Sequence, residues 1–218
     1  LAEAISKVSA SADARLLRVI EQRHQLHVHL YALKQFLLLG QGDFVVGLMD
    51  TIGPELKKRA TQLYRHNLTG MLEGSLRSSN AQYLPSNVLD RVGIKLLEAS
   101  PGDTGWEVFS LDYMIDPPLS AIVHKSAHNQ YRTAFQLLWR LKRVEWTLSS
   151  GWKQQLLFKH STHNKGAMSG LTRLRSVMHR CSLNRARMLH VVTTFNTYLM
   201  FEVLESEWQL LEARLLGC

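Results

Sequence analysis

Apolar positions recur at helical spacing over most of the chain. Leu16, Val19, Ile20, Leu26, Leu30 and Leu37 return every three or four residues or multiples of that, with no Gly or Pro among them. This pattern predicts one long amphipathic helix over 12–39. Gly40-Gln41-Gly42 ends it, and Asp43 is placed to N-cap a second helix reaching about Ile52. Gly53-Pro54 reads as the next break, with Pro54 in the first turn of a third helix over roughly 54–80. The period then changes. Residues 94–99 and 106–115 read as strands joined by the turn residues 100–105, and Phe109, Leu111, Tyr113 and Ile115 alternate onto one face. Asp116-Pro117-Pro118 closes that region. A long helix over roughly 125–158 follows, with Tyr131, Ala134, Leu138, Leu141, Leu148 and Trp152 as its stripe. A polar loop near 159–168 leads to a last helical region, 170–216, bending near Glu205 and carrying Met188, Val192, Phe195 and Leu199. The expected fold class is mainly α, an elongated helical bundle with one small β-hairpin inserted.

Composition narrows the class. Of the 218 residues, 45% are apolar and 20% charged, ordinary for a globular chain and unlike a disordered one. The longest apolar runs, such as Phe36–Leu39, fall far short of the ~20 residues that cross a bilayer. Leu1–Ala14 lacks the basic-then-apolar order of a signal peptide. The chain opens on Leu rather than Met, so a piece of a longer protein is expected. Two cysteines, Cys181 and Cys218, are too few for a disulfide framework or a Cys-based zinc site, which reads as a reducing, cytosolic setting.

The net charge of +8 is unevenly distributed. Residues 121–190 hold 13 Lys or Arg against one acid, Glu145, so the remainder of the chain is net negative. Such a field attracts nucleic acid, anionic lipid or an acidic protein, and charge alone does not choose among them. Trp139, Trp146 and Trp152 lie within the basic stretch, but no nucleic-acid reading module accompanies them.

Candidate chemistry is sparse. Gly40-Gln41-Gly42 resembles the start of a dinucleotide fingerprint, but Val45 stands where the third Gly belongs, and a helix rather than a strand precedes it. His124 and His128 are four apart, yet no Glu at 125 completes a zinc-protease motif; His24, His27 and His29 are near one another without a full ligand set. Ser, Asp and His occur without a nucleophile-elbow context. No catalytic, cofactor-binding or metal-binding residue is assigned. Glu145 falls inside the apolar arc of its helix, and Glu202 falls on the stripe of Met188, Val192 and Phe195. Each reads either as a half-buried acid paired with a base of a neighbouring helix or as part of a partner surface.

Several ordered blocks carry a resemblance. Leu33-Lys34-Gln35-Phe36-Leu37-Leu38-Leu39-Gly40-Gln41-Gly42-Asp43-Phe44 resembles the opening of the C-terminal conserved domain of gamma-tubulin complex components. Leu63 through Glu73, Ser100-Pro101-Gly102-Asp103-Thr104-Gly105-Trp106 and its continuation to Tyr113, Phe135 through Glu145, and Met200 through Glu205 stay in register with it. The His66-Asn67-Leu68-Thr69-Gly70 and Ser100–Trp106 blocks resemble the component-three type.

The resemblance implies a non-catalytic scaffold without a cofactor or small-molecule substrate. Its implied partners are gamma-tubulin, other components of the complex and, indirectly, the microtubule minus end, at a cytoplasmic microtubule organising centre. It implies that 1–23 end a linking helical region and that 24–218 form the first part of a gamma-tubulin-binding helical domain, truncated here. Two segments are the expected partner contacts: Gly40, Gln41, Gly42, Asp43 and Phe44, and Pro101, Gly102, Asp103, Thr104, Gly105 and Trp106. Gly and the turn expose backbone there, and Phe44 and Trp106 offer aromatic anchors; Arg173, Arg175, Arg180 and Arg187 are secondary candidates. The alternative reading is a basic helical adaptor for nucleic acid or anionic membrane.

Overall fold

The computed structural model describes residues 2–163 and 170–216. By contacts the chain divides into two compact units, residues 1–138 together with the C-terminal residues from Glu212, and Trp139–Leu211.

In the first unit the expected single helix over 12–39 is two helices, α1 (Ala2–His24) and α2 (Leu26–Phe36). Gln25 between them is left-handed, with φ of 48°. A polar contact overrides the apolar period here. The Glu21 carboxylate accepts the His27 backbone N–H at 3.1 Å and also meets the His27 ring, satisfying a donor that the new helix start leaves open. α2 ends through left-handed Leu39, after which the Gly40 and Gln41 amides donate back to the Lys34 and Gln35 carbonyls. A Cβ on Gly40 would stand 3.0 Å from the Lys34 carbonyl oxygen, so glycine permits this close return.

Helix α3 runs from Gly42 to Leu56, passing through the expected break at Gly53-Pro54. Pro54 is exposed in the last turn while Ile52, Gly53 and Leu56 are buried beside it. Burial on that side outweighs the single backbone hydrogen bond that proline removes. The expected third helix over 54–80 is therefore shorter, α4 (Arg65–Ser78), and packs on α3. A one-turn helix, α5 (Ser86–Leu89), leads to the hairpin.

Strands β1 (Val92–Leu96) and β2 (Phe109–Tyr113) pair antiparallel, with Val92 opposite Tyr113 and Leu96 opposite Phe109. The second strand is shorter than the expected 106–115 because Gly105–Val108 forms a helical turn, α6, started by a Thr104–Glu107 capping box. Phe109, Leu111 and Tyr113 are all buried, as the alternation requires. A short α7 (Leu119–Ile122) follows, and then α8 (Lys125–His163). The first unit's core combines Leu33, Phe36, Phe44, Leu48, Ile52, Leu68, Leu72 and Ile94 with the hairpin residues and Phe135. The Phe36 and Phe44 rings meet edge to face at 5.2 Å, and Phe109 tilts against Phe135 at 6.3 Å.

The second unit holds the C-terminal part of α8, α9 (Gly170–Tyr198), a π-helical stretch over Leu199–Glu205 and the beginning of α10 (Ser206–Leu216). The π segment lies where a bend near Glu205 is expected. Two stripe expectations change. Trp152 is 42% exposed, and on α9 Met188 and Phe195 are 55% and 47% exposed while Val192 and Leu199 are half-buried. The inward face of α9 thus keeps Val192 and Leu199 and adds Met178, Ser182, Arg185 and Leu189, of which Ser182 and Arg185 donate to the Gln155 side-chain oxygen of α8, with Arg185 lying over Gly151. Glu145 is half-buried and paired with Lys142 of its own helix at 2.9 Å, whereas Glu202 is exposed. Helix α8 extends past the expected end at 158; positions 164–168 of the expected polar loop, Lys165 and Cys218 lie outside the described residues.

His29 on α2 ties that helix to β2 through a buried hydrogen bond to the Tyr113 hydroxyl, 2.6 Å long. Burial lowers the His29 pKa from 6.5, with the Arg91 charge acting in the same direction and Asp116 opposing it. Burial pushes the Tyr113 phenol up to about 12. A lowered folded-state pKa means that the unfolded chain takes up the proton first. The stabilisation from neutral His29 is thus complete above 6.5 and is lost as pH falls through the folded value. The urea midpoint of the protein should decline between pH 7 and pH 5, and the decline should be smaller in His29→Gln. Equal declines in the two proteins would exclude His29 as a source.

Candidate functional site

The two sequence-predicted segments sit at opposite ends of α3. Gly40–Phe44 enters its N-terminus, whereas Gly105 abuts its C-terminal residue Leu56. The fifteen residues of α3 separate them by about 21 Å at 1.5 Å per residue, so the fold does not bring them together.

At the first end, Gly40, Gly42 and Asp43 are exposed, Gln41 is half-exposed, and Phe44 is fully buried against Phe36. Asp43 does not N-cap α3. That position belongs to Gln41, and Asp43 lies in the first turn, with its carboxylate accepting the Asn80 backbone N–H at 2.7 Å. This hydrogen bond is the main reason the Asp43 pKa is lowered. The side chain therefore fastens the turn after α4 to the start of α3, a long-range role that local capping rules do not reveal.

At the second end, Pro101 and Gly102 are exposed, Gly102 with φ of 102°. Asp103 and Thr104 are half-buried, and Gly105 and Trp106 are buried. Asp103 closes the turn by accepting the Ser100 N–H at 2.7 Å, and its own carbonyl accepts the Ala60 N–H at 3.0 Å. Gly105 donates to the Lys58 carbonyl at 3.0 Å. A Cβ on Gly105 would lie 2.6 Å from Leu63 Cδ1 and 2.8 Å from Leu56 Cα. Trp106 is 5% exposed. The aromatic-anchor expectation is thereby corrected: the side chains of Phe44 and Trp106 belong to the core, and what these segments offer outward is backbone, Asp43 and Pro101. Of the secondary candidates, Arg175, Arg180 and Arg187 are exposed on α9, and the side chain of Arg173 lies outside the described residues.

His29 and His128 each tie a helix to β2. His128 is bonded to Asp112 of β2 at 2.5 Å, with Arg132 4.0 Å from the same carboxylate oxygen. Among the described residues no group of three or more His, Cys, Asp or Glu is arranged to hold a metal ion. A polar cavity of about 180 Å³ opens between Arg23, His24, His29, Arg91 and Asp116. Arg91 is engaged there by Asp116 at 3.1 Å and by the Asn87 and Met114 carbonyls, an arrangement that fixes the loop after β2. No helix among the described residues is long and apolar enough to cross a membrane.

The family model for the C-terminal region of gamma-tubulin complex components matches residues 26–217. The chain belongs to the gamma-tubulin complex component family. The matched region begins at Leu26, the first residue of α2, and contains both candidate segments. The chain is 42% identical over 193 residues to a gamma-tubulin complex component 3 homolog of Xenopus laevis and to gamma-tubulin complex component 3 of Homo sapiens. Each alignment covers 88% of this chain and 21% of the relative. Spindle pole body component 98 of Dictyostelium discoideum is 40% identical over 212 residues, 97% of this chain and 25% of that protein. The chain thus spans about a quarter or less of the length of these relatives.

Within this family member the glycine before Trp106 is the most exacting position of the two segments. Gly105→Ala has no flexible atom to displace on the Leu56 side, and the overpacking should cost about 1–3 kcal/mol. Gly42→Ala, where nothing lies within 4 Å of the added carbon, should change stability far less. Urea titration of the two variants checks this, and comparable losses would contradict the close contact.

Proposed function

We propose that the chain is part of a non-catalytic scaffold that binds gamma-tubulin and helps template microtubule nucleation at a microtubule organising centre. The observation that carries the proposal is the family match over residues 26–217. The physics required is positional. A row of scaffolds holding their cargo side by side removes much of the orientational cost of bringing the first subunits together, a cost that otherwise opposes every association step. Other components of the complex are the proposed neighbours. Residues 1–23 are proposed as the end of a linking region and 24–218 as the first part of the gamma-tubulin-binding domain. The basic stretch after residue 120 favours an acidic partner and raises its association rate more than its final affinity.

The proposed contacts are the outward parts of the two segments, Gly40 to Asp43 and Pro101 to Thr104. Alanine at Phe44 or Trp106 is a poor probe because both are core residues whose truncation costs about 3–5 kcal/mol. Gly42→Glu and Pro101→Glu alter the surface instead. Pull-down of gamma-tubulin by the chain and by a C-terminally extended form should succeed with the native sequence. It should drop at least several-fold with both substitutions, without a change in helical circular dichroism. Undiminished capture would remove these segments from the interface, and no capture by either native form would overturn the proposed function.

A further inference from the structure

Helix α9 leaves a second, largely apolar row open to solvent. Its inward row holds Met178, Ser182, Arg185, Leu189 and Val192, all half-buried, whereas on the outward row Val177, Met188, Val191, Phe195 and Tyr198 are exposed, Val191 by 65%. These residues form a register. With Cys181 and Asn184, also exposed, they occupy positions 177, 181, 184, 188, 191, 195 and 198, an unbroken alternation of four and three residues. That spacing is the seam of a coiled coil, in which one row of side chains stays aligned with a facing helix. It runs for 22 residues, about 33 Å, and ends where the π-helical segment starting at Leu199 changes the turn and breaks the register.

Charge identifies what the seam faces. Arg180 and Arg187 precede Cys181 and Met188 and border the row as exposed cations; Arg185 lies on the other border. Helix α9 contains no Asp or Glu over its whole length. A second copy would place arginine rows against arginine rows, a like-charge pairing that opposes self-association. The row is also narrower than the broad apolar face of a helix that lies in a lipid surface, and Asn184 interrupts it. We infer that α9 is a docking seam for an acidic amphipathic helix of another polypeptide, about three heptads long, with apolar residues facing Val177–Tyr198 and Glu or Asp facing Arg180 and Arg187. This inference stands on α9 alone and does not depend on gamma-tubulin binding.

The test uses the native chain and two fluorescent helical peptides of three heptads, with leucine at the seam positions and either Glu or Lys along both borders. In fluorescence anisotropy the Glu peptide should bind about tenfold or more tighter than the Lys peptide, the two differing only in border charge. Arg180→Glu with Arg187→Glu should reverse that preference, and Val191→Asp should abolish binding with unchanged helical circular dichroism. The bound Glu peptide should also slow alkylation of Cys181. Equal binding of the two peptides, stronger binding to phosphatidylserine vesicles or duplex DNA, or dimerisation of the chain alone in sedimentation would overturn the inference. So would shielding of Cys181 in a C-terminally extended form without any peptide, because the occupant would then be internal. No tubulin enters the assay, so its outcome and that of the pull-down are independent.

Discussion

The contact on which the first unit depends is the approach of Gly105 to the end of α3. A backbone without a side chain comes near enough to Leu56 and Leu63 that any Cβ would collide, and its N–H reaches the Lys58 carbonyl. This one closure fixes where the hairpin connection meets the helical layer. From it the chain places Trp106 and Val108 in the core and starts β2 with Phe109 facing inward. With the start of β2 set, the period-two alternation brings Leu111 and Tyr113 to the same face, and Tyr113 then meets His29 of α2. The opposite end of α3 is held by Asp43, whose carboxylate secures the Asn80 amide. Two of the sequence blocks that resemble family signatures thus meet the two ends of α3, each tied to a distant part of the chain.

Much of this was legible in the sequence, and the exceptions share a cause. The helix-to-strand change of period located the hairpin, and Phe109, Leu111 and Tyr113 lie inward as alternation demanded. Near Glu205, where the sequence suggests a bend, the helix changes to a π-helical stretch over Leu199–Glu205. Errors arose where a contact distant in sequence, or a polar side chain, overrode a local rule. Glu21 bonding to His27 divides a helix whose apolar spacing is unbroken. Burial of Ile52, Gly53 and Leu56 carries α3 through Pro54, a residue that reads locally as a stop. Trp106 reads as an aromatic anchor at the tip of an exposed turn, yet it starts a capped helical turn and is buried. On α9 the apolar stripe was visible, but periodicity alone does not state which partner covers a stripe. Of that stripe Val192 and Leu199 turn inward beside Ser182 and Arg185, which bond Gln155, while Met188 and Phe195 stay exposed.

These observations describe a polypeptide whose signature residues maintain shape. His29, His128 and the Tyr113 phenol bind one element to another, and the basic charge is concentrated on helices with exposed surface. In the first unit both ends of α3 are tied to distant parts of the chain, and in the second α9 leaves a row of apolar side chains exposed.

The central claim, that both signature blocks are parts of one cooperative core, is tested most directly by native-state hydrogen exchange resolved to single amides. The account predicts that amides of α2, α3 and β2, including those of Phe36, Leu48 and Leu111, exchange only through global unfolding and share one opening free energy. Exchange of the β2 amides by a separate, lower-energy opening while α3 stays protected would contradict it, since the closure at Gly105 would then not couple the hairpin to the helix.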